Sequence, residues 1–378
     1  MQTAKLTMAI RAAAGALVLG VASQAGAFEL SAPGVDAELY GYARLNATYD
    51  INADIANSTR SGSFQKLNEA DQDIEGHFGA DAFQTRIGVR AGLDNGVKIN
   101  VEGDFRGGGG GTLRLRQGYG VYKGVLMGQT WSNFGSFVGN TSSLDFDGLV
   151  GSAGWQSRQA QVRYTTGALS FSAEDVATGG IFNSSSQRKG TPAFTARLQD
   201  SSGGFSYSAA AVAHQVTHDD GNDDDSEIGY AAFVAGKIAV TNALSIQGAL
   251  TYSDGANRYL YRSGEDYGAE DGYVNNGTLE TLAGYAGTIG MGLDLGNGRS
   301  VNAGYGIVTV DWDDAEKDLG AAAVADKSET NQMALVNYQW TPVKNVMMGI
   351  EYAYFDRENV DGNSNDANRI MFAGQYNF

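Results

Sequence analysis

The stretch FQTRIGVRAGLDNGVKINVEGDF, Phe83 to Phe105, decides how the rest of the chain is read. In its first arm Phe83, Thr85, Ile87, Val89, Ala91 and Leu93 alternate with Gln84, Arg86, Gly88, Arg90 and Gly92. In its second arm Val97, Ile99, Val101, Gly103 and Phe105 alternate with Lys98, Asn100, Glu102 and Asp104. Side chains two residues apart share a face of an extended strand, so each arm has one greasy face and one wet face. Between the arms, Asp94 to Gly96 carries an Asn-Gly pair, which takes the positive φ angles of a tight turn. The pattern predicts a β-hairpin that separates an apolar medium from water.

The same unit repeats from Asp36 to the last residue. Further short turns fall at 123–124, 166–167, 200–204, 239–243, 294–298 and 341–345, seven with the first. Eight longer segments lie between them, at about 50–81, 106–111, 132–154, 175–191, 215–227, 254–277, 311–330 and 356–366. Together they predict sixteen strands, with both ends of the chain on the short-turn side. The ending NRIMFAGQYNF fits the same pattern: Ile370, Phe372, Gly374, Tyr376 and Phe378 share one face, and Arg369, Met371, Ala373, Gln375 and Asn377 share the other. The expected fold is all-β: a transmembrane antiparallel up-and-down β-barrel of sixteen strands, with long extracellular loops and short periplasmic turns. Closure between the last strand and the first, 36–50, is what a lipid setting demands, because an open edge would leave backbone N–H and C=O groups unpaired in hydrocarbon. A soluble β-sandwich is the competing reading. Its exposed aromatics would be an aggregation hazard.

Composition narrows the classes further. The 378 residues hold 53 Gly, 3 Pro and no Cys, which rules out a disulfide framework and a thiolate metal site. No run of eighteen apolar residues is present, so a helical membrane span is excluded. Lys5 and Arg11, the apolar segment 12–22 and the small residues Ala25 and Ala27 read as a secretory leader covering 1–27, leaving 28–378 as one barrel domain. Loss of Lys5 and Arg11 takes the net charge from −17 to −19 (−17 − 2), and such acidity argues against nucleic acid as a partner.

On the wet face the first half of the chain is unusually basic. Arg44, Arg86, Arg90, Arg114, Arg116 and Arg163 fall on inward positions, with Arg158 near a strand start. Slipping a strand by one residue would turn such arginines to lipid at roughly 2–4 kcal/mol each, so the register is forced. Guanidinium groups on one side of a water-filled pore lower the energy of small anions there, and they match a carboxylate with two parallel hydrogen bonds. The competing reading is that these arginines only join the wall to inward acids such as Glu102 and Asp104. Opposite charge is expected from the loop about 132–154, which carries Asp145 and Asp147 beside Phe134, Phe137 and Phe146. So aromatic a loop is expected to fold into the lumen and narrow it.

In order along the chain, LRLRQGYGVY (Leu113 to Tyr122), GQTWSNF (Gly128 to Phe134), LDFDG (Leu144 to Gly148) and RQAQVRYT (Arg158 to Thr165) resemble the DcaP-like family of Gram-negative outer-membrane channels. The resemblance implies a homotrimer of sixteen-stranded barrels that admits small organic anions, dicarboxylates and aromatic acids among them, through an arginine-lined constriction. Arg44, Arg86, Arg90, Arg114, Arg116 and Arg163 would then be pore-wall residues, and Asp145 and Asp147 would belong to the folded-in loop. Lipid and lipopolysaccharide of the bacterial outer membrane are the expected surroundings. The coiled-coil segment that some members carry before the barrel has no counterpart in 28–35.

Other features carry less. The acidic stretches HDDGNDDDSE (His218 to Glu227) and DWDDAEKDLG (Asp311 to Gly320) read as solvated loops that bridge lipopolysaccharide through divalent cations; the spacing of a calcium loop is not met. Gly107 to Gly111 lacks the Lys of a phosphate-binding loop. His77, His214 and His218 show no metal spacing and no serine partner, so no cofactor, metal site or catalysis is expected. A general or cation-tolerant porin is the alternative within transport, and an adhesin using the acidic loops is a more remote one.

Overall fold

In the computed structural model the residues described are 28–68, 76–184, 188–219, 221, 224–265 and 267–378. The expected leader, 1–27, lies outside them. The alternating segments form β1 (Val35–Asp50), β2 (His77–Asp81 and Arg86–Leu93), β3 (Lys98–Gly107), β4 (Thr112–Tyr122), β5 (Val125–Trp131), β6 (Arg158–Thr166), β7 (Leu169–Glu174) and β8 (Ala193–Ser202). The second half adds β9 (Phe205–Asp219), β10 (Asp224–Ala239), β11 (Leu244–Asp254), β12 (Ala283–Gly296), β13 (Arg299–Val310), β14 (Ser328–Val343), β15 (Val346–Asn359) and β16 (Ser364–Asn377). Each pairs antiparallel with its chain neighbours, and the two pieces of β2 both pair with β1. The result is a closed antiparallel barrel of 16 strands. Closure removes every edge that would otherwise sit unpaired in lipid.

The seam joins β1 to β16, from Tyr42 opposite Asn377 to Asp50 opposite Arg369. Below it, Phe378 and Gly41 exchange two backbone hydrogen bonds of 3.0 and 3.1 Å. A side chain at Gly41 would fall 2.3 Å from the Arg86 carbonyl oxygen and 2.8 Å from the Phe378 ring, which explains the glycine. Phe28–Ala32 covers the remaining edge of β1 by pairing with 35–39.

The outward face is apolar on both arms of the opening hairpin: Ile87, Val89, Ile99 and Val101 are exposed, whereas Glu102 and Asp104 are buried inside. On β10 to β12, Tyr230, Tyr252 and Tyr285 form an exposed ladder with ring centroids 6.2 and 5.5 Å apart, as an interface girdle requires.

The inward face departs from the expected pattern. Strict alternation puts water along it, yet Val308, Met333, Leu335, Phe355 and Ala367 on β13 to β16 form one apolar cluster with Ile55, Phe64, Leu149, Val150 and Leu260 from loops 51–76, 132–157 and 255–282. One side of the barrel interior is therefore a dry core covered by loops. Other loops build a rim. Ile181–Phe182, Gly272–Asn275 and Thr278–Thr281 make a small sheet, beside the helices Asp313–Leu319 and Ala321–Val324. Tyr273 reaches Asp318 at 2.8 Å, and Lys327 reaches Glu270 at 2.7 Å.

Candidate functional site

The basic wall is assembled by register. Arg86 pairs opposite Asp104 across β2 and β3, and Asp104 pairs opposite Arg114 across β3 and β4. Inward cations and acids thus stand side by side. At Arg116 the period breaks: Glu102 pairs with Gln117 and Gly103 with Leu115, which leaves Arg116 as the extra residue of a β-bulge. A bulge re-aims its side chain. Arg116 Nε donates to Glu102 at 2.8 Å and Nη1 to Asp104 at 3.1 Å, while Arg114 takes both oxygens of Asp104 at 2.6 and 3.1 Å.

The ladder between β4 and β5 ends at Gly118 opposite Gln129. Beyond it, Gln129 donates to the carbonyls of Leu115 and Arg116 at 3.3 and 3.2 Å. Near this split the cations gather on aromatic faces. Arg60, Arg116 and Arg86 have their guanidinium carbons 4.7, 5.3 and 5.4 Å from the Phe146 ring, and Arg158 lies 4.8 Å over Trp131. Cation–π contacts contribute about 0.5–2 kcal/mol each. Asp147 pairs with Arg60, and Glu102 and Asp104 pair with Arg116, so within this group Arg86 and Arg158 are the cations without an ion pair among the described residues.

The seven arginines expected on the wall divide into two sets. Arg90 pairs with Glu38 at 3.0 Å, its side chain 56% exposed, and Arg114 and Arg116 are neutralised as above. Arg44, Arg86, Arg158 and Arg163 have no ion-pair partner among the described residues. Arg44 donates to Asn46, Gln375 and the Leu144 carbonyl at 2.8, 3.2 and 3.0 Å. Arg163 donates to Gln161 and to the Trp131 carbonyl. Arg86 Nε and Arg158 Nη1 are buried with no acceptor at all. Joining to inward acids therefore accounts for three of the seven and leaves four without an ion pair among the described residues.

The loop 132–157 is longer by three residues than its sequence reading. Glu174 on β7 anchors its start, accepting from the Ser132 hydroxyl and the Asn133 N–H at 2.6 Å each. Phe134 packs on Phe233 and Tyr259 with ring centroids 5.2 and 5.5 Å away, and Phe137 packs on Trp131 at 5.0 Å. Farther along, Glu351 on β15 accepts the N–H groups of Leu144 and Asp145 at 2.8 and 3.0 Å. The loop backbone rests directly on wall glycines: a side chain at Gly306 would fall 2.0 Å from the Val150 carbonyl oxygen, and one at Gly349 would fall 2.7 Å from Leu144.

Asp145 and Asp147 do not offer opposite charge across the lumen as expected. Both are buried. Asp147 accepts from Arg60 at 3.0 Å and from the Tyr267 hydroxyl at 2.6 Å. Burial works to raise Asp147, but Arg60 and Arg262 overcome it and hold the carboxyl at about 2. Burial pushes Asp145 the other way, upward, with Asp147 two residues off adding to the rise. Arg60 and Arg262 lie in loops without periodicity, so no sequence signal marked them. Arg106, which pairs with Asp81 at 2.9 Å, was readable by extending the β3 alternation.

Comparison with known proteins then decides the family. The DcaP outer membrane protein family matches residues 21–378. The chain belongs to this family. Among solved structures, the crystal structure of the outer membrane channel DcaP of Acinetobacter baumannii superposes with a TM-score of 0.79 at 27% identity, covering 92% of this chain and 99% of that one. OmpF of Salmonella typhi gives 0.56 at 14% identity, over 93% and 100%. The anion-selective porin from Comamonas acidovorans gives 0.55 at 12%, over 91% and 100%. At such identities the last two speak for the fold alone. No curated protein matches the chain. As a DcaP-family barrel, the protein is a channel of the bacterial outer membrane, and the exposed apolar belt is its lipid-facing surface.

Proposed function

We propose that this channel conducts small solutes passively and prefers small organic anions, carboxylates and dicarboxylates foremost. One observation carries the reading: Arg44, Arg86, Arg158 and Arg163 keep their charge without an acidic partner among the described residues, while Glu38, Glu102 and Asp104 are taken up by Arg90, Arg114 and Arg116. A guanidinium without a salt bridge favours an anion at 4 Å by about 1 kcal/mol in bulk water, and by up to about 4 at an intermediate dielectric. Several such groups in series give weak binding at each step, so a solute enters and leaves.

In this reading Arg44, Arg86, Arg90, Arg114, Arg116, Arg158 and Arg163 guide the solute. The loop bearing Phe134, Phe137, Asp145, Phe146 and Asp147 narrows the path, and Phe146 is the ring around which three of the cations stand. The solute passes unchanged, so no catalytic role is assigned. We place the barrel in a homotrimer, with its acidic loops meeting lipopolysaccharide through divalent cations. The test is swelling of liposomes loaded with the purified protein. Uptake of a four-carbon dicarboxylate should exceed that of a diamine of the same length; equal or reversed rates would overturn the anion preference and favour a general or cation-tolerant porin.

A further inference from the structure

Loop 132–157 does not stand alone. Arg262, in loop 255–282, is fully buried and adopts φ +63, a left-handed conformation that a non-glycine residue keeps only where its surroundings over-determine it. Its Nη2 donates to the Gly62 carbonyl at 2.7 Å in loop 51–76, and its Nη1 donates to the Gly148 carbonyl at 2.9 Å in loop 132–157. The guanidinium lies 5.0 and 5.6 Å from the ring centroids of Phe64 and Phe355, which meet each other edge to face at 5.6 Å, and the Arg262 carbonyl accepts from Asn331 on β14 at 2.9 Å. Two strands and three loops therefore meet at one residue.

The acids of loop 132–157 close the same joint. Asp145 accepts the Gly62 N–H at 3.2 Å, and Asp147 bridges Arg60 of one loop to Tyr267 of the other. Backbone bonds run alongside, from Phe146 to the Arg60 carbonyl at 3.0 Å and from Gly151 to the Tyr261 carbonyl at 2.9 Å. Phe146 sits between the two buried acids, so whatever fixes Asp145 and Asp147 also fixes this ring against Arg86 and Arg116.

We infer that Arg262 is a positioning residue of the channel: it welds the segments around Gly62, Gly148 and itself into one unit and so sets where Phe146 stands relative to the wall arginines. The inference rests on the channel reading above. A planar fork serves two carbonyls while also lying against the aromatic pair, whereas an ammonium offers no flat face and no paired donors. A lysine here would keep the charge and lose the weld.

The test uses the full-length barrel in planar bilayers, with Arg262→Lys, Arg262→Met and, as an independent route to the same joint, Asp147→Asn. Retention of the compact, heat-modifiable form on gels selects folded protein. For folded Arg262→Lys and Asp147→Asn, single-channel conductance should rise, open-channel noise should grow, and the reversal potential in a salt gradient should move toward zero. Wild-type conductance and reversal potential in both variants would overturn the inference. A wild-type channel without anion preference would instead overturn the function proposed above, while the conductance of the variants still reports on the weld.

Discussion

Asp50 and Arg369 face each other across the seam of the barrel, joined by two hydrogen bonds of 2.6 and 2.9 Å with neither side chain exposed. They are direct partners in the ladder between the first and last strands. A buried pair is weak evidence of net stability, because both ions were taken out of water to make it, but removing one member leaves an uncompensated charge. Asp50→Ala should therefore destabilise the closed barrel by about 3–5 kcal/mol. The temperature at which the folded gel mobility is lost should fall clearly. Asp50→Asn, which keeps an acceptor for the guanidinium, should fall less, and an unchanged Asp50→Ala transition would remove the pair from the account of closure.

The division of the wall arginines makes a second prediction. Arg86 and Arg158 form no ion pair among the described residues, whereas Arg114 shares Asp104 with Arg116. Loss of a charge without an ion pair near the path should cost an anion about 1 kcal/mol, roughly a fivefold change in its preference. Arg86→Ala and Arg158→Ala should each reduce anion over cation permeability more than Arg114→Ala does. Equal effects at all three positions would mean that the ion pairs do not screen the wall.

The glycines under loop 132–157 make a third. Gly306→Val puts a branched side chain where only the Val150 carbonyl fits, and interiors at native density do not absorb such volume without backbone shifts. Conductance should change with the barrel still folded. Gly92→Ala, whose nearest neighbour is the Asp36 carbonyl oxygen at 3.9 Å, should leave conductance alone.

Asp271 supplies a pH dependence. It lies in loop 255–282, fully buried, and accepts the N–H groups of Gly179 and Arg258 at 2.8 and 3.2 Å. Burial pushes its pKa up to about 7 against those bonds. The folded loops thus hold a proton that the opened loops release near pH 4, the ordinary aspartate value being about 3.9. Linkage then makes the joint between loops 175–192 and 255–282 tightest at low pH and progressively weaker from about pH 4 to pH 7, with no further loss above. Protection of these loops from protease should decline over that window, and Asp271→Asn should flatten the profile. A wild-type profile that rises with pH would contradict the assignment.

How much of this was legible in the sequence follows from where period two holds. The arms around Asp94 to Gly96 sort their side chains without interruption, so inward Arg86 and Arg90 and outward Ile87 and Val89 were readable directly. Arg116 is readable as inward, but the bulge at that residue is not: it reverses the parity of the rest of β4, so Tyr122 ends up exposed on the outside. Met371 and Phe355 were unreadable for another reason. Alternation tells inside from outside, and it says nothing of whether the inside is water or a loop. Arg60, Arg262 and Tyr267 lie in segments with no period at all, and only the folded chain brings them to Asp147.

The most direct measurement of the central claim is the reversal potential of the wild-type channel in a planar bilayer under a potassium chloride gradient, compared with Arg86→Ala combined with Arg158→Ala. The expected result is a wild-type potential of the sign set by chloride, reduced toward zero in the double variant with the folded fraction unchanged. A potential set by potassium, and indifferent to both substitutions, would contradict it.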